Sequence, residues 1–317
     1  MATHRWTGAS SGVASTAGNW SPSGPPGSGD TAQFGASSTQ DCSNWDITTV
    51  DIIEIESGFP HTVKIAANIA IKGVTVNKAN TIKADSAYTL TFSGQPQYIT
   101  NQAYVENKVD DPFFNASSRA NLTYKYTATG QTAFFDCGVY PHVNLYNGTI
   151  RPTYIAPSVS NATEVKLYSL EVESGATFAP ANNTPSANDR AKKFTLAYSH
   201  QNQFQVAATA FNGGWATWTF QATTGGFVLP TTGSSQYNSC VFTFHSWIID
   251  STGAGAPSWA KIPAASRLVL NDLTINANVS LKGDNTVGSI ILLTKRPTIN
   301  GTWGYVSVAD GIYIYPK

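Results

Sequence analysis

Charged side chains are scarce in this chain, and their scarcity limits what it can bind. Asp, Glu, Lys and Arg make up 12% of the 317 residues, and 19 basic residues balance 19 acidic ones. A nucleic-acid partner requires a basic surface that displaces counterions, and a polybasic membrane contact requires basic residues too. The composition therefore argues against nucleic acid and membrane as partners. Ser, Thr, Asn, Gln and Gly must keep the surface soluble.

Long apolar runs are also missing. The sequence has no stretch of eighteen apolar residues, so no transmembrane helix is expected. No apolar run follows Arg5, as a signal peptide would require. An outward-facing composition without an export signal is typical of a virion protein, which is made in the cytoplasm and released by lysis. A chain whose leader had been trimmed would fit as well. We expect the outer surface of a virion or, if the protein is not viral, the cell surface or the extracellular space.

Signatures of metal binding and catalysis are absent from the sequence. Cysteine and histidine never occur at C-x-x-C or H-E-x-x-H spacing, and no phosphate-binding Gly loop occurs. We therefore predict no metal, no cofactor and no enzymatic activity. The cysteines are expected to be buried free thiols. The cysteines are Cys42, Cys137 and Cys240, and the histidines are His4, His61, His142, His200 and His245.

What the chain does contain is period-two alternation of Val, Ile, Thr, Tyr and Phe with polar residues. Residues 50–55, 165–172 and 312–315 are examples, and this alternation predicts β-strands. Two internal echoes indicate stacking. Residues 53–58 recur in pattern at 170–175, and residues 75–85 align without gaps to 274–284. Units of this kind cannot bury an apolar face alone and must stack on their neighbours.

The opening of the chain combines two Trp residues with Gly- and Pro-rich turns. Its order is W-x-G, then N-W-x-P, then G-D-T-A-x-F, with Trp6, Trp20 and Asp30 as landmarks. The turns allow the two Trp rings to pack together, each indole N–H requires a partner, and Asp30 is placed to cap the first strand. The favoured interpretation is an end-cap that seals a β stack. A receptor- or sugar-contacting aromatic patch is the alternative.

This opening resembles the first unit of long β-solenoid surface proteins of bacteria, of the autotransporter-passenger and adhesin type. Similar openings occur in structural proteins of bacteriophage particles, including decoration-type proteins. The resemblance covers residues 1–34 only. It implies an all-β body of β-solenoid (parallel β-helix-like) rungs with β-sandwich-like insertions.

Composition divides the chain into five expected segments. They are an N-terminal cap or arm (1–50), β-solenoid-like rungs (51–100), a β-rich insertion with returning rungs (101–185), an aromatic and Gly-rich β domain (186–262) and C-terminal β rungs (263–317).

Two sets of side chains are candidates for chemistry or contact. Paired carboxylates would be needed by a glycosidase, and the candidates are Asp110, Asp111, Asp136, Glu171 and Glu173. Because Glu54 and Glu56 repeat the spacing of Glu171 and Glu173, a solvated outer face is the favoured interpretation. The aromatic candidates for a subunit interface, a core or a glycan-stacking platform are Trp6, Trp20, Trp215, Trp218 and Phe220.

These observations favour a non-enzymatic structural protein of a bacteriophage particle, either a capsid decoration (cement) protein or a head-fibre protein. Its expected partners are further copies of itself, with a trimer as the guess, and the major capsid protein or other virion proteins. One alternative is a carbohydrate-binding adhesin or tail-fibre receptor-binding module, for which a glycan would be the ligand. Another is a polysaccharide-degrading β-helix enzyme.

Overall fold

The fold is seen in a computed structural model of the chain. The structure describes residues 1–76, 81–84, 86–93, 98–101, 122–135, 138–152, 164–178, 193–198, 204–207, 210–214, 216–222, 226–228, 241–251, 258–261, 267–276, 279–282, 289–293, 298–299 and 312–316. The prediction of an all-β protein is confirmed. In these ranges the only helical element is a 3₁₀ turn, Ala17–Asn19, and no helix is long and apolar enough to cross a membrane.

Two compact units make up the chain, residues 1–163 and residues 164–317. The boundary falls inside the segment 101–185 that composition marked as an insertion. The described residues of the first unit form thirteen strands. They are β1 (Thr3–Trp6), β2 (Trp20–Ser21), β3 (Thr31–Phe34), β4 (Cys42–Trp45), β5 (Ile52–Ile55), β6 (Val63–Ile65), β7 (Ile69–Ile71), β8 (Gly73–Val76), β9 (Ile82–Ala84), β10 (Tyr88–Phe92), β11 (Tyr98–Asn101), β12 (Leu122–Phe135) and β13 (Gly138–Pro152).

Apart from the antiparallel pair β1–β2, the described strands of the first unit pair in parallel, mainly in three ladders. The ladders are β3–β5–β8–β11, β4–β6–β9 and β7–β10–β12–β13. Thr31 lies opposite Ile52, and Ile52 lies opposite Gly73, a step of 21 residues each time. Parallel pairing already begins with β1 and β3, within the segment 1–50 that was expected to be a cap or arm.

Alternation within these short strands decides which side chains form the core. In β5 the side chains of Ile53 and Ile55 are buried, while those of Ile52 and Glu54 are half-buried. Strands β6, β7 and β9 also bury their first and third residues. Since paired positions stack in register, the buried residues form columns of aliphatic side chains. The period-two pattern of the sequence is therefore the pattern of the core.

In the second unit, the part that the structure describes also forms thirteen strands. They are β14 (Glu164–Phe178), β15 (Lys193–Tyr198), β16 (Phe204–Val206), β17 (Ala210–Asn212), β18 (Thr217–Ala222), β19 (Gly226–Val228), β20 (Val241–Ser251), β21 (Ser258–Lys261), β22 (Arg267–Ile275), β23 (Val279–Lys282), β24 (Ser289–Leu293), β25 (Thr298–Ile299) and β26 (Ile312–Pro316). Its described pairings are all parallel. The main ladders are β14–β15–β18–β20–β22–β25, β17–β20–β22–β24–β26 and β19–β21–β23.

Aromatic side chains fill the core of the second unit. Phe194 lies opposite Trp218, and Trp218 lies opposite Trp247, so that successive steps are 24 and 29 residues. The rings of Phe194 and Trp218 are stacked, with centroids 4.5 Å apart and planes at 12°. Phe244 and Trp247 are also stacked, at 5.9 Å and 15°. Longer steps therefore coincide with bulkier interior side chains.

The longer sequence echo corresponds to equivalent positions in the two units. Its first copy runs from β8 into β9, and its second copy runs from the end of β22 into β23. In both copies the chain leaves a main ladder and enters a three-stranded sheet, β4–β6–β9 in one unit and β19–β21–β23 in the other. In both copies, the repeated residues therefore supply the end of a main-ladder strand and a strand of a three-stranded sheet.

Candidate functional site

The two Trp residues of the opening pack against each other in the core of the first unit. Their ring centroids are 5.1 Å apart and their planes are inclined at 72°. Trp6 is fully buried and Trp20 nearly so, and Phe34, Trp45 and Phe59 extend the same cluster. No ring face of this pair is open to a ligand. The two rings are therefore core side chains of the first unit and not an exposed aromatic patch.

Backbone groups satisfy the polar atoms of this cluster. The indole N–H of Trp6 donates to the carbonyl of Gln40 at 3.1 Å, and that of Trp20 donates to the carbonyl of Ala14 at 2.6 Å. Gly8 has a φ of +67°, and a Cβ there would lie 3.2 Å from the indole nitrogen of Trp6. The W-x-G spacing therefore places the residue without a side chain directly beside the first ring.

Asp30 connects the segments before β1 and β3 through hydrogen bonds to its carboxylate. Its carboxylate accepts hydrogen bonds from the backbone N–H of Ala2 at 3.0 Å and of Gly27 at 3.1 Å. These two bonds, with smaller electrostatic contributions from His4 and the chain's amino terminus, outweigh partial burial and lower the pKa of Asp30. The expected cap at the start of β3 is thus present.

Asp51 directly precedes β5, just as Asp30 directly precedes β3. Burial alone would raise the pKa of Asp51, but hydrogen bonds from Lys72 and from the backbone of Gly29 outweigh it and lower the pKa. The ammonium of Lys72 lies 2.5 Å from the Asp51 carboxylate. Residues 30, 51 and 72 each directly precede a strand of the β3–β5–β8 ladder, and we call these three charged residues the charged corner.

Trp218 and Phe220 lie on one face of β18, and both are fully buried. The indole N–H of Trp218 donates to the carbonyl of Gly213 at 2.8 Å. A Cβ at position 213 would lie 2.7 Å from both the indole nitrogen of Trp218 and a ring carbon of Phe244. These contacts support the core interpretation of the two residues. Trp215 lies outside the described residues.

The carboxylate candidates show an outward-facing pattern. Glu171 and Glu173 are half-buried and alternate with the buried Leu170 and Val172 along β14. In the other echo, Glu54 accepts a hydrogen bond from Gln33 at 3.1 Å across the outside of the β3–β5 ladder. Asp110, Asp111 and Asp136 lie outside the described residues.

Cys42 is a buried free thiol, as expected. Burial raises its pKa to about 12, so the thiol stays protonated and unreactive at neutral pH. Cys137 and Cys240 lie outside the described residues. Among the described residues, no cluster of His, Cys, Asp and Glu could hold a metal ion.

One exposed surface was not singled out from the sequence, the outward face of β10, β12 and β13. Tyr146 on β13 is 48% exposed, and the only other large exposed hydrophobic side chain in the described part of the chain is Met1. The ammonium of Lys125 lies 3.9 Å from the centroid of the Tyr146 ring. We call Lys125, Tyr146 and Asn147 the tyrosine–lysine patch.

A β-bulge explains why Asn147 faces outward beside this ring. Tyr126 lies opposite Leu145, but Thr127 lies opposite Asn147, so Tyr146 is skipped in the register. Tyr146 and Asn147 are consecutive and both are exposed, which regular alternation would forbid. Position 148 is a glycine with a φ of +83°. The adjacent Asn-Gly pair was the only local signal in the sequence of this irregularity.

Comparison with protein-family models, with curated proteins and with solved structures gives no match for this chain.

Proposed function

We propose that this chain is a β-solenoid structural protein of a bacteriophage particle, a capsid decoration protein or a head-fibre protein that stabilises the shell through protein–protein contacts. The observation that carries the proposal is the in-register parallel stacking in both units, combined with a charged content of only 12%. A stack of this kind presents long, regular and nearly uncharged faces. Such faces can pack in many copies without long-range repulsion.

The mechanism in this proposal is mechanical. Each unit resists deformation because neighbouring strands of its ladders share main-chain hydrogen bonds and because its buried columns interlock. Binding free energy then comes from apolar area and main-chain pairing at subunit boundaries, with no chemical turnover. Further copies of the chain, with a trimer as the guess, would cover sheet edges that would otherwise pair unspecifically.

The first experiment is to mix the purified protein with undecorated capsids of the phage that encodes it. We expect saturable co-sedimentation and a higher temperature of capsid disruption. The same chain unfolded by heat is the control, because it keeps the composition and loses the stacked surfaces. Failure to bind, or binding without any thermal gain, would contradict the proposal.

A second experiment addresses the oligomer. Light scattering coupled to size-exclusion chromatography should give three times the mass of one chain. A monomer at all concentrations would remove the trimer from the proposal and leave the capsid contact to be judged by the first experiment.

A further inference from the structure

We infer that Asn147 of the tyrosine–lysine patch is a modification site, at which the side-chain amide is lost by spontaneous deamidation and the patch gains a carboxylate. The inference goes beyond the structural role proposed above and does not require it. It rests on the exposed Asn-Gly pair at positions 147 and 148, on the interrupted strand pairing around it, and on the contrast with a second Asn-Gly pair at positions 212 and 213.

The reaction needs only groups of the chain and water. The backbone nitrogen of Gly148 loses its proton and attacks the side-chain amide carbon of Asn147, and the new carbon–nitrogen bond closes a succinimide ring. The former amide group takes up the proton and leaves as ammonia. Water then opens the ring at either carbonyl and leaves aspartate or isoaspartate, each with one carboxylate. Glycine at position 148 favours the attack because no Cβ crowds the approaching nitrogen.

Strand pairing is interrupted on both sides of Asn147. Thr127 lies opposite Asn147, but Tyr146 and Gly148 are both skipped in the register of β12 against β13. Gly148 has a φ of +83°, far from the φ of a regular strand. A single paired residue between two skipped ones is held less firmly than a residue inside a continuous ladder. The backbone here can therefore turn the Gly148 nitrogen toward the exposed amide of Asn147.

The second Asn-Gly pair has the opposite arrangement. Asn212 is exposed, as Asn147 is, but its side-chain oxygen accepts a hydrogen bond from the backbone N–H of Gly214 at 2.9 Å. Gly213 is buried, and its backbone N–H donates to the carbonyl of Thr243 at 2.7 Å. Both reacting groups are thus engaged, and attack requires that both hydrogen bonds break first. We expect deamidation in the folded chain to be at least about tenfold slower at Asn212 than at Asn147.

Deamidation changes the charge of the tyrosine–lysine patch. The new carboxylate lies one residue from Tyr146, whose ring centroid is 3.9 Å from the ammonium of Lys125. Because the chain has 19 basic and 19 acidic residues, the product differs from the unreacted chain by one negative charge on a nearly neutral molecule. Reacted and unreacted chains should therefore separate on an ion-exchange column.

The test is peptide mass spectrometry of the folded full chain after incubation in mildly alkaline buffer, where the attacking nitrogen loses its proton more readily. We expect aspartate and isoaspartate to form at position 147 at least about tenfold faster than at position 212. A third Asn-Gly pair, at positions 300 and 301, lies outside the described residues, and mass spectrometry reads each position separately. A rate at position 147 no faster than that at position 212 would overturn the inference.

The matched control is the same chain in concentrated guanidinium chloride. Without the fold, neither Asn-Gly pair keeps its hydrogen bonds or its strand pairing, so the rates at positions 147 and 212 should become similar. An unchanged preference for position 147 would overturn the inference, because the local sequence would then set the rate.

A variant locates the reacting amide. Asn147→Gln lengthens the side chain by one methylene, and the larger ring that it would have to close forms much more slowly. Ion exchange should show the unchanged chain converting with time to a more acidic form that elutes with Asn147→Asp, whereas Asn147→Gln should convert more slowly. Conversion of Asn147→Gln at the rate of the unchanged chain would place the reactive amide elsewhere and overturn the inference.

Discussion

The two units use the same parallel pairing but fill their interiors differently. Between β3 and β10 the first unit steps by 21 residues along two ladders and encloses mainly Ile, Val and Leu, with an aromatic cluster at its start. Around β15, β18 and β20 the second unit steps by 24 and then 29 residues and encloses stacked Phe and Trp. In these two stretches, the longer steps enclose the bulkier side chains.

The comparison indicates how strongly a core substitution should destabilise each unit. The aliphatic core of the first unit consists of several similar layers, so the loss of one methylene disturbs only one of them. The aromatic core has no such redundancy, because Trp218 contacts Phe178, Phe194, Phe211 and Phe244 at once. Substitutions in the second unit should accordingly cost more than those in the first.

The largest effect is expected from Trp218→Ala. Removal of a fully buried indole leaves a cavity that its ring neighbours cannot fill, and we expect a loss of about 3–5 kcal/mol in the free energy of unfolding. Urea titration followed by far-UV circular dichroism measures it. Trp218→Phe keeps a ring and should cost clearly less. Equal stability of Trp218→Ala and the unchanged chain would show that the aromatic core is not the main support of the second unit.

The next effect concerns the close approach at Gly213. A Cβ there would lie 2.7 Å from Trp218 and Phe244, so Gly213→Ala must displace a packed ring and should cost about 1–3 kcal/mol. A Cβ at Gly27 would meet no described atom within 4 Å, and Gly27→Ala is therefore the matched control, with little or no loss expected. The same urea titration applies, and a harmless Gly213→Ala would contradict this packing.

The charged corner of the first unit gives a smaller effect that depends on pH. Lys72→Met leaves the buried Asp51 carboxylate without its ammonium partner and should cost about 1–2 kcal/mol near neutral pH. The pKa of Asp51 is lowered in the folded chain, so its stabilising contribution is complete above the ordinary value of 3.8. It is lost as the pH falls below that value and through the lowered pKa of the folded chain.

Thermal unfolding from pH 7 down to pH 2 tests this linkage. The difference in melting temperature between the unchanged chain and Lys72→Met should be largest near neutral pH and should shrink in strong acid. A difference that stays constant over the whole range would mean that Lys72 stabilises the corner by packing alone.

The smallest effect is expected from the aliphatic columns. Ile55→Val removes one buried methylene from β5 and should cost about 0.5–1.5 kcal/mol. Ile52→Val, on the half-buried outer side of the same strand, is the control and should cost less. Urea titration of both variants measures the difference, and a larger loss for Ile52→Val would reverse the assigned inward and outward faces.

Local patterns in the sequence predicted the strands and their buried faces, because alternation such as that of Ile53 and Ile55 depends only on neighbouring residues. The Trp6–Trp20 contact and the Asp30 cap were also predicted, since both follow from turns close in the chain. The surroundings of Trp218 were left open, because an indole suits a core and an interface equally. The exposure of Asn147 beside Tyr146 depends on the bulge between β12 and β13, which local alternation does not predict.

The most direct test of the stacked architecture is the removal of one complete step. Deletion of residues 51–71 removes 21 residues and brings Lys72 to the corner position beside Asp30, in register with the remaining ladders. We expect this shortened chain to keep a β-rich circular dichroism spectrum and one cooperative thermal transition, whereas deletion of residues 51–61 alone, which breaks the register, should abolish both. If the complete-step deletion unfolds or aggregates as the partial one does, the chain is not a stack of interchangeable steps.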